Sequence, residues 1–237
     1  MKKFFTLIAA VVMAASANAQ GSYILSAGDA VTAGQQVTSV DNITLTYGAG
    51  SGSFVAAKKQ ANWADADFQA YTNGSANGKF TEATETAEAT EPTGCFYKFD
   101  AAENGTLTVA IQLNSGKGFY VINGDYQKVA YSYNLPSAKD GDSQSFTQNE
   151  KGQDIIDAKS NGTVTFNVEK GKSYYVFCVG SKLAFFGFKY TVGTTGIKDV
   201  KAAANAADAA TYNMAGQKVG KSYKGVVIKN GKKTIQK

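Results

Sequence analysis

The chain has 237 residues, with 24 basic and 19 acidic side chains, a formal charge of +5 and no histidine. Every basic residue is a lysine, because arginine is absent as well. Those two absences exclude Ser-His and Cys-His nucleophile pairs, H-E-x-x-H zinc sites and guanidinium clamps for phosphate, and leave only paired carboxylates or lysine for catalysis.

The charge is unevenly spread. Lys2 and Lys3 belong to a leader, and seven lysines with no acid lie beyond Ala209, which leaves −4 on residues 20–208. A nucleic-acid surface would place its cations on the folded body and use arginine for bidentate contacts. No nucleic-acid partner is therefore expected.

Residues 1–19 read as a signal peptide. Lys2 and Lys3 form the n-region, Phe4 to Ala15 a short apolar core, and Ala17-Asn18-Ala19 an A-x-A site, so cleavage is expected between Ala19 and Gln20. The apolar run is too short to span a bilayer, and no later one is long enough, so no transmembrane helix is expected in the mature chain.

Residues 20–192 form the body. Gly21 to Leu25 is an opening strand. Ile43, Leu45 and Tyr47 alternate with threonines, the period of two that a half-buried strand requires. Phe54-Val55 begins another short strand after a glycine-serine loop. Residues 58–94 are irregular, with Trp63, Phe68, Tyr71 and Phe80 scattered among polar residues. Thr81 to Thr93 carries Glu82, Glu85, Glu88 and Glu91 at every third position. Threonine is a poor helix former and like charges at that spacing repel, so a solvated loop is expected.

Regular strands follow. Cys95, Tyr97 and Phe99 make one, and Leu107, Val109, Ile111 and Leu113 the next. Asn104-Gly105 between them is a strong hairpin signal. Asn114-Ser115-Gly116 leads into Phe119 to Ile122, and Asn123-Gly124 into Val129, Tyr131 and Tyr133. Leu135 to Ser160 is polar, anchored by Ile155 and Ile156. The densest apolar stretch is Asn161 to Val192. Val164, Phe166 and Val168 alternate, Lys170-Gly171-Lys172 turns the chain, Tyr174 to Val179 is apolar on both faces, and Gly180-Ser181-Lys182 turns it again. In the last strand Ala184, Phe186, Phe188 and Tyr190 are expected to point one way, and Phe185, Gly187 and Lys189 the other. The pattern predicts an all-β fold: an antiparallel two-sheet β-sandwich, jelly-roll-like, with a small C-terminal β-hairpin unit.

Cys95 and Cys178 both fall on expected strands. An exported chain allows a disulfide between them, worth on the order of 4 kcal/mol for so long a loop. The other reading is two buried thiols acting as small apolar residues.

Residues 193–210 form a linker, and residues 211–237 a separate β unit. A two-residue turn at Asn230-Gly231 would set Val226 opposite Ile235 and Val227 opposite Thr234. The run Tyr212-Asn213-Met214-Ala215-Gly216-Gln217-Lys218-Val219, then Tyr223-Lys224-Gly225-Val226-Val227-Ile228 and Asn230-Gly231-Lys232-Lys233, resembles the C-terminal sorting domain of type IX secretion cargo. The resemblance implies engagement of that secretion machinery, passage across an outer membrane, and a secreted or cell-surface destination. The chain lacks the closing Lys-Val/Leu-Val-Lys of such domains.

The body is similar in layout to galactose-binding-like jelly rolls and other carbohydrate-binding modules. Phe96-Tyr97-Lys98-Phe99-Asp100, Gly105-x-Leu107-x-Val109, and Gly180-Ser181-Lys182-Leu183 with Gly187-Phe188-x-Tyr190 carry that similarity. It implies a non-catalytic module whose partner is a polysaccharide or glycan. A structural or adhesive surface protein and a carboxylate-dependent hydrolase or lyase are the alternatives. Sugar sites pair an aromatic ring with amide, carboxylate or ammonium groups. The candidates are Trp63, Tyr120, Asp125 and Tyr126, with a core plug as the other reading of Trp63 and an ordinary turn residue that of Tyr126. Lys182 reads as a turn cation. Asp140, Asp142, Glu150, Asp154 and Asp157 supply oxygen but lack the EF-hand pattern, so they read as solvated acids and no metal is assigned. No cofactor is expected.

Overall fold

The computed structural model describes residues 20–60, 67–84, 87–136, 144–193, 211–213, 218–219, 224–229 and 232–236. Among the described residues every regular element is a strand. The body opens with β1 (Gln20–Ile24), β2 (Gln36–Val37), β3 (Ile43–Ala49), β4 (Lys58–Lys59) and β5 (Ala70–Asn73). It continues with β6 (Cys95–Ala101), β7 (Gly105–Leu113), β8 (Gly118–Asn123), β9 (Ser132–Asn134), β10 (Thr147–Gln148) and β11 (Asp154–Ile155). It closes with β12 (Ser160–Val168), β13 (Ser173–Val179) and β14 (Ala184–Val192).

The strands build two antiparallel sheets. The first runs β4-β5-β14-β7-β12-β9, with β1 also paired to β14; the second runs β10-β11-β8-β13-β6-β3-β2. If β5, β6, β7, β8, β11, β12, β13 and β14 are counted one to eight, the first sheet holds the order 1-8-3-6 and the second 2-7-4-5. That is the order of a jelly roll, two Greek keys folded over one core.

This order corrects the expected hairpins. β6, β7 and β8 alternate between sheets, as do β12, β13 and β14. Asn104-Gly105, Asn114 to Gly116, Lys170 to Lys172 and Gly180 to Lys182 therefore cross the core instead of joining neighbours. The sheets of a sandwich stand about 10 Å apart, a step of three or four extended residues. Gly105 needs to be glycine for packing: a Cβ there would stand 2.5 Å from the Thr191 carbonyl and from the Tyr190 ring. Asn104 Oδ1 accepts the Lys170 amide at 2.7 Å, tying two of these crossings together. Asn123-Gly124 does reverse the chain locally, since the Val129 amide returns to the Val121 carbonyl at 2.9 Å. Phe54 makes a single bridge to Gly74, not a strand.

The core lies between the sheets. Leu107, Val109, Ile111, Val164, Phe166, Phe185, Phe188 and Tyr190 come from the first sheet, and Leu45, Tyr47, Tyr97, Phe99, Val121 and Val176 from the second; all are buried. Tyr97 stacks on Phe185 with ring centroids 4.5 Å apart, and Tyr47 meets both edge-on at 5.9 Å. As expected, β13 is central, between β8 and β6, and buried on both faces.

The last strand departs from strict alternation. β14 pairs Phe185 with Ile111 and Gly187 with Ala110, so Phe186 is an extra residue in a bulge. Parity reverses there. Ala184 and Phe186 face outward, while Phe185, Phe188 and Tyr190 all enter the core. The bulge also divides one edge of β14 between two partners, β5 at Ala184 and Phe185 and β1 from Gly187 onward. Gly187 has φ 144°, and a Cβ on it would collide with the Tyr23 carbonyl.

Cys95 and Cys178 are free thiols, both buried. Of the two readings, the buried thiols hold and the bridge does not form; the β13–β6 ladder ends at Val176 and Tyr97. Beyond that point Cys95 pairs with Ala49, and Gly78 bridges to Val179. The Cys95 thiol turns to the Ser53 carbonyl at 3.7 Å, and burial pushes the Cys178 thiol well up.

The second unit spans Gly196–Lys237. It contains β15 (Thr211–Asn213), β16 (Lys218–Val219), β17 (Gly225–Lys229) and β18 (Lys232–Gln236), in the order β16-β15-β17-β18. β17 and β18 pair Val226 with Ile235 and Val227 with Thr234, the expected register. Residues 1–19 and 194–210, which include Ala19 and all of the linker but Gly193, lie outside the described residues.

Gly187→Ala is expected to destabilise the body by about 1–3 kcal/mol, the cost of a strained backbone plus the clash with Tyr23. A urea unfolding curve measures it; an unchanged midpoint would contradict the role given to the bulge.

Candidate functional site

The outer faces of the two sheets differ. On the second, Phe96, Tyr120, Ile122, Tyr175 and Phe177 form an apolar aromatic layer. The segments 78–84 and 87–93, together a strap, lie over it. Phe80 meets Tyr120 and Phe177 edge-on at 5.4 and 5.7 Å, and Tyr120 stacks on Phe177 at 5.2 Å. Two glutamates fasten the strap. Glu82 accepts the Tyr120 hydroxyl at 2.7 Å and pairs with Lys128 at 3.1 Å; Glu91 accepts the Tyr175 hydroxyl at 3.1 Å. The run expected to be a solvated loop thus clamps the sheet through two of its acids. Burial, then the hydrogen bond to Glu82, raises the Tyr120 pKa, so this hydroxyl is a neutral donor.

This layer receives two of the sequence candidates. Tyr120 is 3% exposed, enclosed by Phe80, Glu82 and Gln153. Tyr126 has a left-handed φ of 60° and a half-buried ring 6.1 Å from Tyr175. Asp125 is exposed, 3.9 Å from Lys172, and lines a separate cleft of about 230 Å³ with Asn167, Glu169 and Tyr174. Trp63, Asp140 and Asp142 lie outside the described residues. Asp154 is occupied, accepting the Tyr131 hydroxyl at 2.6 Å. Among the described residues no group of three acidic or cysteine side chains is placed to hold a metal.

The first sheet carries a larger cleft, of about 390 Å³, on its outer face at the rim. Strand geometry builds its floor. Ala184 pairs with Asn73 on one side and Gln112 on the other, and Gln112 pairs with Asn161 beyond. These residues share the outward parity, so the small Ala184 leaves a trough between two amides. Tyr71, two positions before Asn73, forms a wall and packs against Phe186 at 5.5 Å. Asn77, Asn114, Lys159, Gly180, Ser181 and Lys182 complete the lining.

The amides are held. Gln112 donates to Asn161 Oδ1 at 2.5 Å, and Asn114 donates to Ser181 Oγ at 2.7 Å, so each keeps a carbonyl oxygen as acceptor. From beneath, the buried Tyr97 hydroxyl donates to the Leu183 carbonyl at 2.8 Å and approaches the Thr72 carbonyl at 3.5 Å. Burial holds that hydroxyl protonated. Thr72, fully buried, donates to the Val55 carbonyl at 2.5 Å. Tyr71, Asn73, Lys182 and Ala184 flank these anchored residues, so the core fixes their backbone.

Of the residues singled out from sequence, Gly180, Ser181 and Lys182 line this cleft, and none of Tyr120, Asp125 and Tyr126 does. Tyr71, Asn73, Asn77, Gln112 and Asn114 were not selected. Gln112 was visible as an outward polar position, but its neighbours across the sheet were not. No family model matches the chain, and no curated protein matches it. Fold and site together define a jelly-roll β-sandwich with an amide-lined cleft at the rim of one sheet.

Glu82→Ala is expected to loosen the strap, since it removes the acceptor of a buried hydroxyl and the partner of Lys128 at a cost of about 1–3 kcal/mol. Limited proteolysis should then cut within residues 78–93 faster than in the parent protein. Equal cutting rates would contradict the clamp.

Proposed function

We propose that the body is a non-catalytic carbohydrate-binding module and that the Asn73–Ala184–Gln112 trough is where the sugar lies. The observation that carries this reading is the pair of amides facing each other across a single alanine, with the Tyr71 ring beside them. A pyranose offers an apolar face for an aromatic ring and a rim of hydroxyls for amides. The polarity of the trough lining suits such a ligand better than an apolar one. Its amides carry no proton-transfer chemistry, which supports binding without turnover.

The proposal extends to location. The leader at residues 1–19 and the sorting-like C-terminal unit support export to the cell surface or beyond, with secretion machinery as the partner of the latter. A second reading, a surface protein that contacts other proteins, is favoured by one observation. Val226 and Ile235, a cross-strand pair, are 39% and 71% exposed on the C-terminal unit.

Ala184→Leu tests the first reading. It fills the trough while leaving every polar group in place, and it points away from the core. Glycan-array binding by residues 20–192 is expected to fall at least about tenfold, the equivalent of about 1.4 kcal/mol. Because Ala184 is buried beside Phe186, the unfolding midpoint of the variant is measured alongside to establish that it is folded. Retained binding would place the ligand elsewhere, and no binding by the parent protein would refute the module.

A further inference from the structure

The charge of the trough runs against that of the body around it. Residues 20–208 carry −4, yet the residues lining the trough include Lys159 and Lys182 and no aspartate or glutamate. Both ammonium groups are exposed, and among the described residues neither is in an ion pair. A third cation stands at the rim, since the Lys117 stem passes beside Gly180. Lys98, Lys128, Lys170 and Lys189 pair with acids within 3.1 Å. Among the described residues, Lys58, Lys59, Lys79 and Lys151 elsewhere on the body stand in no ion pair either, so what sets the trough apart is two lysines in a lining without a carboxylate. Unpaired lysine beside neutral amide and hydroxyl groups is an arrangement for an anion that also carries hydroxyls.

We infer that the ligand of the trough is an acidic glycan, a sugar polymer bearing carboxylate or sulfate groups. This deepens the carbohydrate reading above and rests on it. Lys182, on the β13–β14 crossing, and Lys159, at the entry to β12, supply two point charges along the lining. Lysine suits this task because its ammonium meets an anion without the fixed planar geometry of arginine. Asn73, Gln112 and Asn114 take the hydroxyls, and Tyr71 takes the ring face. A polymer with charge on each residue would meet repulsion over the rest of the acidic body, which confines it to this rim.

The experiment uses residues 20–237 and affinity electrophoresis against polygalacturonate, a sulfated dextran, a neutral galactan and single-stranded polynucleotide. The inference expects retardation by the carboxylated or the sulfated glycan, the two arms telling the anion apart, and weaker retardation by the galactan. Raising salt from about 0.1 M to 1 M shortens the screening length from about 10 Å to about 3 Å and should weaken binding. The Lys159→Met/Lys182→Met variant should bind the acidic glycan about tenfold more weakly, near the upper limit for two exposed charge contacts. Its unfolding midpoint confirms that it is folded. Equal retardation by neutral and acidic glycans, or retardation by the acidic glycan that is undiminished in the lysine variant, as the seven lysines beyond Ala209 would give, overturns the inference and leaves the carbohydrate reading standing. Retardation by none of the glycans overturns both. Tighter binding of the polynucleotide than of any glycan overturns the glycan assignment.

Discussion

One buried hydroxyl joins the two sheets where the site is built. Tyr97 sits on the second sheet with its ring against Phe185 of the first, and its hydroxyl reaches the Leu183 and Thr72 carbonyls of the opposite layer. A buried hydroxyl without a partner costs roughly 1–3 kcal/mol, so its contacts are strongly specified. The carbonyls it reaches belong to residues that alternate with the trough lining. Core packing therefore sets the spacing between Asn73 and Ala184 on the trough floor, while Asn77, Asn114, Lys159, Ser181 and Lys182 are supplied by the adjoining loops and crossings.

The two outer faces explain why the site lies on the first sheet. The second sheet presents aromatic rings outward, and the strap covers them with Phe80 while Glu82 and Glu91 take the phenol hydroxyls. Among the described residues, the first sheet carries an outer apolar cluster near Phe68 and Phe186. Along β7 and β12 it presents a polar ladder, with Thr108 and Thr165 hydroxyls 2.9 Å apart and Thr106 donating to Asn167 at 3.2 Å. The trough opens where these two regions meet, with Tyr71 from one and Gln112 from the other.

Strand positions were largely readable from alternation and turn residues, including β3, β6, β7, β8, β12, β13 and the register of β17 on β18. Sheet membership was not. Asn104-Gly105 has the composition of a hairpin whether the next strand lies alongside or across the core; what decides is the length of chain pairing with β13 and β3 elsewhere. The bulge at Phe186 was hidden because Phe, Gly and Phe fit either parity. The site was the least readable part. Asn73, Ala184 and Gln112 are far apart in the chain, and their meeting depends on the order β5-β14-β7, which no local pattern carries. Tyr120 lies on the outer face of its strand, but the strap that encloses it looked like free loop because glutamates bonded to tyrosines and glutamates in water read alike.

The most direct test of this account is amide hydrogen exchange in the Tyr97→Phe variant. The ring and its stacking on Phe185 remain, and only the hydroxyl is lost. The account predicts faster exchange in Ala70–Asn73 and at the start of β14 around Ala184, with β7 and β12 exchanging as before. Unchanged rates around Asn73 and Ala184, or a uniform increase over the whole sandwich, would contradict the claim that this hydroxyl positions the trough.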